Sequence, residues 1–178
     1  MTEALLVIDM INDFLKPGAV LEVSMGRKII PSIAQKIKHA EIVGKPIIFV
    51  SDSHRIFDDE LNYWPKHALV GTSGRLLYEE LRKLIDINSL HNLFAIDKYT
   101  YSGFYGTELD RLLKGHNVKT IFLTGILTNI CIFITAIEAQ MRGYNVFIFE
   151  DSVAALTQED NDRALEQLEK VFKIRKMK

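Results

Sequence analysis

The sequence predicts an α/β fold of three layers, α/β/α, with a central, mainly parallel sheet. Three observations carry that expectation. Short apolar runs such as Ala4-Leu5-Leu6-Val7-Ile8 and Lys119-Thr120-Ile121-Phe122-Leu123 lack clean polar alternation, as strands buried on both faces do. Helical segments separate these runs, the pattern of parallel strands joined by crossovers. Asp9, Asp52, Lys98, Cys131 and Asp151 all fall just after a run, where ligands bind in open parallel sheets.

The first strand is Ala4–Ile8, ending at Asp9. A loop follows from Asn12 to Ser24, with Pro17-Gly18 as its turn signal. Met25–Val43 reads as a helix broken early by Pro31 and capped by Gly44. Pro46–Val50 is strand two, ending at Ser51-Asp52. A polar, aromatic-bearing loop runs from Asp52 to Ser73, and Gly74–Leu84 is the next helix. Leu93–Ile96 is a short strand leading to Asp97-Lys98. Thr107 offers a side-chain oxygen as the N-cap of another helix. The strand Lys119–Leu123 ends at Thr124, and Ile130–Arg142 is a helix stopped by Gly143. Asn145–Phe149 is a strand leading to Glu150-Asp151. Gln158–Lys170 is the last helix, and Val171–Ile174 a last edge strand.

A chain of 178 residues is most simply one domain, here 1–178, with room for a sizeable core. A net charge of −1 gives no global pull toward nucleic acid or an anionic membrane. The basic cluster Lys173–Lys178 reads as a solvated tail. One cysteine cannot form an internal disulfide, which fits a reducing compartment. The chain opens without a basic-then-apolar signal, and no uncharged run approaches the ~20 residues of a membrane span. A soluble cytoplasmic protein is expected.

Cys131 sits near a strand-to-helix turn, where unpaired N–H groups and the helix dipole favour a thiolate. Taken alone, a lone cysteine is more often a small buried hydrophobe. Asp9 reads either as a turn-capping carboxylate or as the acceptor of the Cys131 proton. Lys98 reads either as a solvated lysine or as the cation that balances thiolate and carboxylate. Carboxylate, ammonium and thiol together suffice for nucleophilic acyl chemistry. Asp52, His54 and His67 share one loop and suit Zn²⁺ or a similar ion, although Asp-x-His with a distant histidine is a weak pattern by itself. His39, His91 and His116 read as surface residues, and Asp58, Asp59 and Glu60 as a solvated acidic run, with support of the histidines from behind as the less favoured alternative. Phe14, Trp64, Phe104 and Tyr105 are aromatics that either wall a pocket or cap the core.

These residues resemble the isochorismatase-like cysteine hydrolases, which include nicotinamidases and N-carbamoylsarcosine amidases. Four segments match in order. Ile8-Asp9-Met10-Ile11-Asn12-Asp13-Phe14 resembles the first-strand motif with its aspartate. Lys98–Phe104, with Gly106-Thr107 and Leu109, resembles the lysine motif. Thr124-Gly125 through Thr128, Cys131, Thr135-Ala136, Ala139 and Gly143-Tyr144 resemble the nucleophile motif, and Asp151-Ser152 the segment after it. The resemblance implies a Rossmann-like topology and an Asp9–Lys98–Cys131 triad. It also implies a cis peptide at Ile126–Leu127 and an oxyanion hole from the backbone N–H groups of Leu127 and Cys131. Asp52, His54 and His67 match the metal-bearing branch, which implies a divalent ion, expected here to be Zn²⁺, that grips a ring nitrogen of the substrate. The chain departs from the family pattern at Ile11, Asn129 and Ala68, which leaves the chemistry standing and the identity of the amide open.

The expectation is therefore an amidohydrolase that cleaves a non-peptide C–N bond of a small molecule through a thioester, releasing ammonia, as nicotinamidases do. Its pocket is expected to use Phe14, Trp64 and Phe104. Hydrolysis of N-carbamoylsarcosine or another carbamoyl amide is the alternative. A catalytically silent small-molecule-binding protein on the same fold is the rival of another class. The spread of apolar residues around the helix from Ile130 predicts a homodimer or homotetramer.

Overall fold

The computed structural model describes residues 2–177; Met1 and Lys178, the ends of the expected domain, lie outside them. Six strands form one parallel sheet: β1 (Thr2–Ile8), β2 (Ile47–Asp52), β3 (Leu93–Lys98), β4 (Val118–Ile126), β5 (Asn145–Ala154) and β6 (Arg175–Met177). Their spatial order is β3-β2-β1-β4-β5-β6. The chain builds outward from β1 to β3, then returns to the other side of β1 and builds outward again. The order reverses between β1 and β4, which opens a crevice beyond their carboxyl ends.

The helices are α1 (Asn12–Leu15), α2 (Ser24–Lys28), α3 (Ile30–Ile42), α4 (Glu79–Ile85), α5 (Leu109–Gly115), α6 (Cys131–Met141) and α7 (Gln158–Lys170). They form two layers because neighbouring strand residues face opposite ways. Leu5, Val7, Ile47 and Phe49 pack against Ile30, Ile33 and Ile37 of α3 and Leu81 and Ile85 of α4. Leu6, Ile8, Ile48 and Val50 belong to the other core, with Leu109 of α5, Ile132 and Ala136 of α6 and Leu168 of α7. The unbroken apolar run of β1 thus serves two cores at once.

Several boundaries differ from the sequence expectation for local reasons. The expected helix Met25–Val43 is two helices, α2 and α3, and Pro31 lies in the first turn of α3, where its missing N–H costs nothing. The expected loop Asn12–Ser24 contains the single turn α1. Gly74 falls in a tight turn, and the helix begins only at Glu79, because Leu77 first bridges Ile11 and the Tyr78 N–H donates to Met10 O at 2.9 Å. Thr107 accepts the Leu109 N–H at 3.3 Å, while α5 itself starts at Leu109 without a side-chain cap bond. The edge strand is Arg175–Met177 rather than Val171–Ile174. Ile174 is buried in the core, and Lys173 turns the chain with φ 59°.

At Gly125 the backbone of β4 comes so near β1 that a Cβ would lie 2.0 Å from Ile8 O. With φ at 112°, the position also favours glycine. This close approach brings the ends of β1 and β4 together, and the next bond but one, Ile126–Leu127, is cis.

Candidate active site

Asp9, Asp52 and Lys98 follow or end β1, β2 and β3, and Cys131 opens α6 after β4. All four are buried. Lys98 Nζ lies 2.9 Å from Asp9 Oδ2, forms an ion pair with Asp52 Oδ1, and donates to Cys131 Sγ at 3.5 Å. Asp9 Oδ1 accepts the Asp52 N–H at 2.9 Å. The other oxygen, Oδ2, faces the Lys98 ammonium, which also reaches Cys131. Lys98 has no solvent access.

The cluster sets the protonation states. Burial first, then the Asp52 charge, raises Asp9 to about 6 against the pull of Lys98. Burial works to raise Asp52 as well, but the Lys98 charge, with the neighbouring His54 and His67 and the Lys98 hydrogen bond, holds it below the usual carboxylate range. Burial disfavours the Lys98 ammonium, yet Asp52 and Asp9 keep it charged well above its ordinary range. Cys131 differs from the expectation of a resting thiolate. Burial and the two carboxylates push its thiol up, and the Lys98 charge does not offset them. The resting site therefore pairs a protonated thiol with a carboxylate able to take its proton.

Asp52 also faces His54 and His67. His54 Nε2 is 3.8 Å from Asp52 Oδ1, and His67 Nε2 is 3.6 Å from Asp52 Oδ2. The far nitrogen of each ring is held from behind. His67 Nδ1 donates to Pro65 O at 2.7 Å, and His54 Nδ1 meets Asp58 Oδ2 at 3.3 Å. A carbonyl can only accept, so His67 carries its proton on Nδ1 and can turn the Nε2 lone pair inward. Glu60 joins them: candidate ligand atoms of Asp52, His54, Glu60 and His67 all lie within 4.8 Å of one another. His54 Nε2 and Glu60 Oε2 are buried without a hydrogen-bond partner. Burial, then the Asp52 charge, raises Glu60. For both histidines burial opposes the charge, but Asp52 outweighs it and raises them. Two orphaned ligand atoms and an excess of carboxylates over the single Lys98 ammonium fit a divalent cation.

A cavity of about 270 Å³ opens over the cluster. Asp9, Cys131, Asp52, Glu60 and His67 form its floor. Phe14, Trp64, Tyr101, Leu127 and Ile130 are among the groups that wall it. Trp64 Nε1 donates to Tyr101 Oη at 3.0 Å, and the Phe14 and His67 ring centroids are 5.5 Å apart. Phe104 does not line this cavity. It is 3% exposed and stacks on Tyr144, because its segment turns inward against α6. Asp151 is remote as well, paired with Lys36 at 3.3 Å. His39, His91 and His116 are exposed. Among the turn and cap hydrogen bonds of the described residues, neither the Leu127 nor the Cys131 N–H donates to a carbonyl. Such N–H groups are ready to meet an oxygen that enters from the cavity.

Tyr101 and a ligand role for Glu60 are what sequence reasoning missed here; Asp58, against His54 Nδ1, takes the supporting place that is the less favoured reading of the acidic run. The acidic run was the available signal: an unpaired carboxylate between two candidate histidine ligands on one loop is a natural further ligand.

The Isochorismatase domain family profile matches residues 3–174. A pyrazinamidase/nicotinamidase from Streptococcus mutans UA159 superposes with a TM-score of 0.92 at 36% identity, covering 99% of this chain and 100% of that one. N-carbamoylsarcosine amidase from Thermoplasma acidophilum gives 0.87 at 30% identity, with 100% and 96% covered. A pyrazinamidase of Pyrococcus horikoshii in complex with zinc gives 0.83 at 31% identity, with 99% and 98% covered.

Proposed function

The chain belongs to the isochorismatase family, and from that premise we propose that it is a cysteine-dependent amidohydrolase. It acts on a small molecule, cleaving a carbon–nitrogen bond other than a peptide bond, in the manner of nicotinamidases. One observation carries this reading: a protonated thiol, a buried carboxylate and a buried ammonium meet at a cavity, beside two N–H groups without carbonyl acceptors.

Asp9 takes the proton of Cys131, and the thiolate attacks the amide carbonyl carbon. Lys98 compensates the negative charge that passes between Sγ and Asp9. The carbonyl oxygen becomes an oxyanion held by the Leu127 and Cys131 N–H groups; one such donor is typically worth about 3 kcal/mol. Asp9 returns its proton to the departing nitrogen. Ammonia leaves, and the acyl group remains on Sγ as a thioester. Asp9 then takes a proton from water, and the resulting hydroxide adds to the thioester carbon. The C–S bond breaks, Asp9 returns its proton to the departing sulfur, and the acid is released with the thiol and the carboxylate restored. Asp52, His54, Glu60 and His67 would hold a divalent ion, here proposed as Zn²⁺, which when bound would supply a Lewis-acid contact for a substrate nitrogen.

The walls favour a neutral amide with an apolar or aromatic body. Among the described lining residues Asp9, Glu22, Asp52 and Glu60 are acidic, and neither lysine nor arginine is present. A carboxylate-bearing carbamoyl amide meets repulsion there, although the likeness to N-carbamoylsarcosine amidase keeps that class as the second reading. Ammonia release from nicotinamide, pyrazinamide and N-carbamoyl amino acids, with and without a chelator, tests the proposal. Turnover of the neutral amides supports it. Turnover of carbamoyl acids alone selects the second reading. No turnover, with an unreactive Cys131, indicates a binding protein. The proposal includes a single cytoplasmic domain that works as a homodimer or homotetramer. Among the described residues no helix is long and apolar enough to cross a membrane.

A further inference from the structure

Asp13, in α1, follows Asp9 in the chain and takes no part in the chemistry above. Its Oδ2 accepts the Ala68 N–H at 2.7 Å. Ala68 follows the candidate ligand His67 and is fully buried with φ 47°, a conformation that a side chain other than glycine adopts only when its surroundings impose it. The other side of the same residue is also engaged: the His54 N–H donates to Ala68 O at 2.9 Å, and the Val70 N–H returns to His54 O at 2.9 Å. Ala68 is thus joined to the chain at both histidines, and Asp13 is the side chain that holds it. The next residue, Phe14, sets its ring against His67.

Gly74, from the far end of the same loop, lies directly on the Asp13 carboxyl. A Cβ there would be 2.0 Å from Oδ2 and 2.3 Å from Cγ. The loop therefore closes on Asp13 from two directions, with room for hydrogen alone at Gly74.

We propose that Asp13 is a positioning residue for the cation cluster: by accepting the Ala68 N–H it fixes the backbone between His67 and His54, so that both imidazoles converge with Asp52 and Glu60. This role rests on the metal reading given above. It requires an accepting oxygen at position 13 rather than a negative charge. Without the acceptor, the Ala68 peptide loses the partner of a buried N–H and relaxes from its left-handed conformation, and the His67 ring turns out of register. Groups that orient metal ligands typically change affinity about 10–100-fold.

The experiment is zinc affinity of the purified full chain, by competition with a chromophoric chelator, together with the visible spectrum of the Co²⁺-substituted protein. Iodoacetamide labelling of Cys131 in the zinc-free protein reports whether the rest of the site is intact. Asp13→Ala is expected to weaken zinc about 10–100-fold and to change the cobalt spectrum, with labelling of Cys131 unchanged. Asp13→Asn keeps an accepting oxygen and is expected to stay within about threefold of the parent. Gly74→Ala, which drives a methyl into the Asp13 carboxyl, is expected to weaken zinc like Asp13→Ala. The double variant should lose little beyond either single one, as residues acting through one contact do. Parent-like affinity and spectrum in Asp13→Ala overturn the role, as does Asp13→Asn failing as badly as Asp13→Ala. Altered labelling of Cys131 in every variant likewise overturns it in favour of a general structural effect. A parent protein that takes up no zinc overturns the metal reading itself, and this role with it.

Discussion

The backbone N–H of Asp52 donates to Oδ1 of Asp9 at 2.9 Å, so the carboxylate after β1 is fixed by the peptide that ends β2. That bond occupies one oxygen and leaves the other to the Lys98 ammonium, which also reaches Cys131. It also brings the Asp52 charge close, which helps raise Asp9 to about 6. The proposed base and the proposed metal ligand are therefore electrostatically linked.

Replacement of Cys131 by Ala should abolish ammonia release while the protein stays folded, because the nucleophile is lost and the cavity left is small. Circular dichroism and an ammonia assay check this together. Clear residual turnover by the pure variant would rule out the covalent route.

Asp9 must be deprotonated to act as a base. As pH falls through about 6, kcat/KM should drop, approaching tenfold per pH unit below that point. A bound dication offsets the Asp52 charge that raises Asp9, so the zinc-loaded enzyme should show its acid limb at lower pH than the chelated enzyme. A pH–rate profile of both forms tests this. A flat profile through this range would remove Asp9 from the role.

Substituting Lys98 by Ala should cost about 3–5 kcal/mol of stability, since it leaves Asp9 and Asp52 buried without their cation. The deficit should shrink in acid. Without Lys98 the folded-state pKa values of these carboxylates rise, and groups so raised bind protons first in the folded state, so stability returns as pH falls through them. Alkylation of Cys131 should move to higher pH, because the Lys98 charge works to lower the thiol. Denaturant melts at two pH values and an alkylation profile are the measurements. An unperturbed thiol would show that Lys98 is electrostatically irrelevant to it.

Elemental analysis of unchelated protein should find one divalent ion per chain, expected to be zinc. His54→Ala should lower that content, and Glu60→Gln should weaken retention during dialysis, because each removes a candidate ligand. Parent protein that lacks metal and gains none on zinc addition would contradict the expectation.

Light scattering at micromolar concentration should give a mass near two or four times 20.4 kDa. On α6, Met141 and Ile134 are exposed, and Phe133 and Ile137 are only partly covered within the chain. A mass equal to one chain would refute the assembly and leave the chemistry untouched.

Much of the fold was readable because parallel strands advertise themselves. Ala4–Ile8 is apolar throughout, since both of its faces are covered, and its end fixes where Asp9 emerges. Asp52, Lys98 and Cys131 follow the same rule, but so did Asp151 by its expected strand end, and β5 instead runs on through it to Ala154, so the strand ends alone did not single out the four that meet. Glu60 obeys no such rule. Its direction depends on the single turn Asp59–Asn62 in an irregular loop, where neither period nor propensity speaks. Phe104 misled for a related reason: its burial against Tyr144 is a tertiary fact, absent from its own neighbourhood in the chain. The final strand moved because Ile174 was needed in the core, a demand made by Leu168 and its neighbours rather than by local sequence.

The upper walls of the cavity come from two places that supply none of its buried charges. Val20, Leu21 and Val23 belong to the segment between α1 and α2, and Leu156 to the turn after β5. Val20 and Leu156 are each about half exposed, at 48% and 56%. Under the proposed reading, the part of the molecule that reacts and the part that selects are inherited separately. A descendant that lengthened or rewrote either segment could adopt a new amide while every reacting atom kept its place. The scaffold would then diversify by changing its doorway and sparing its machinery.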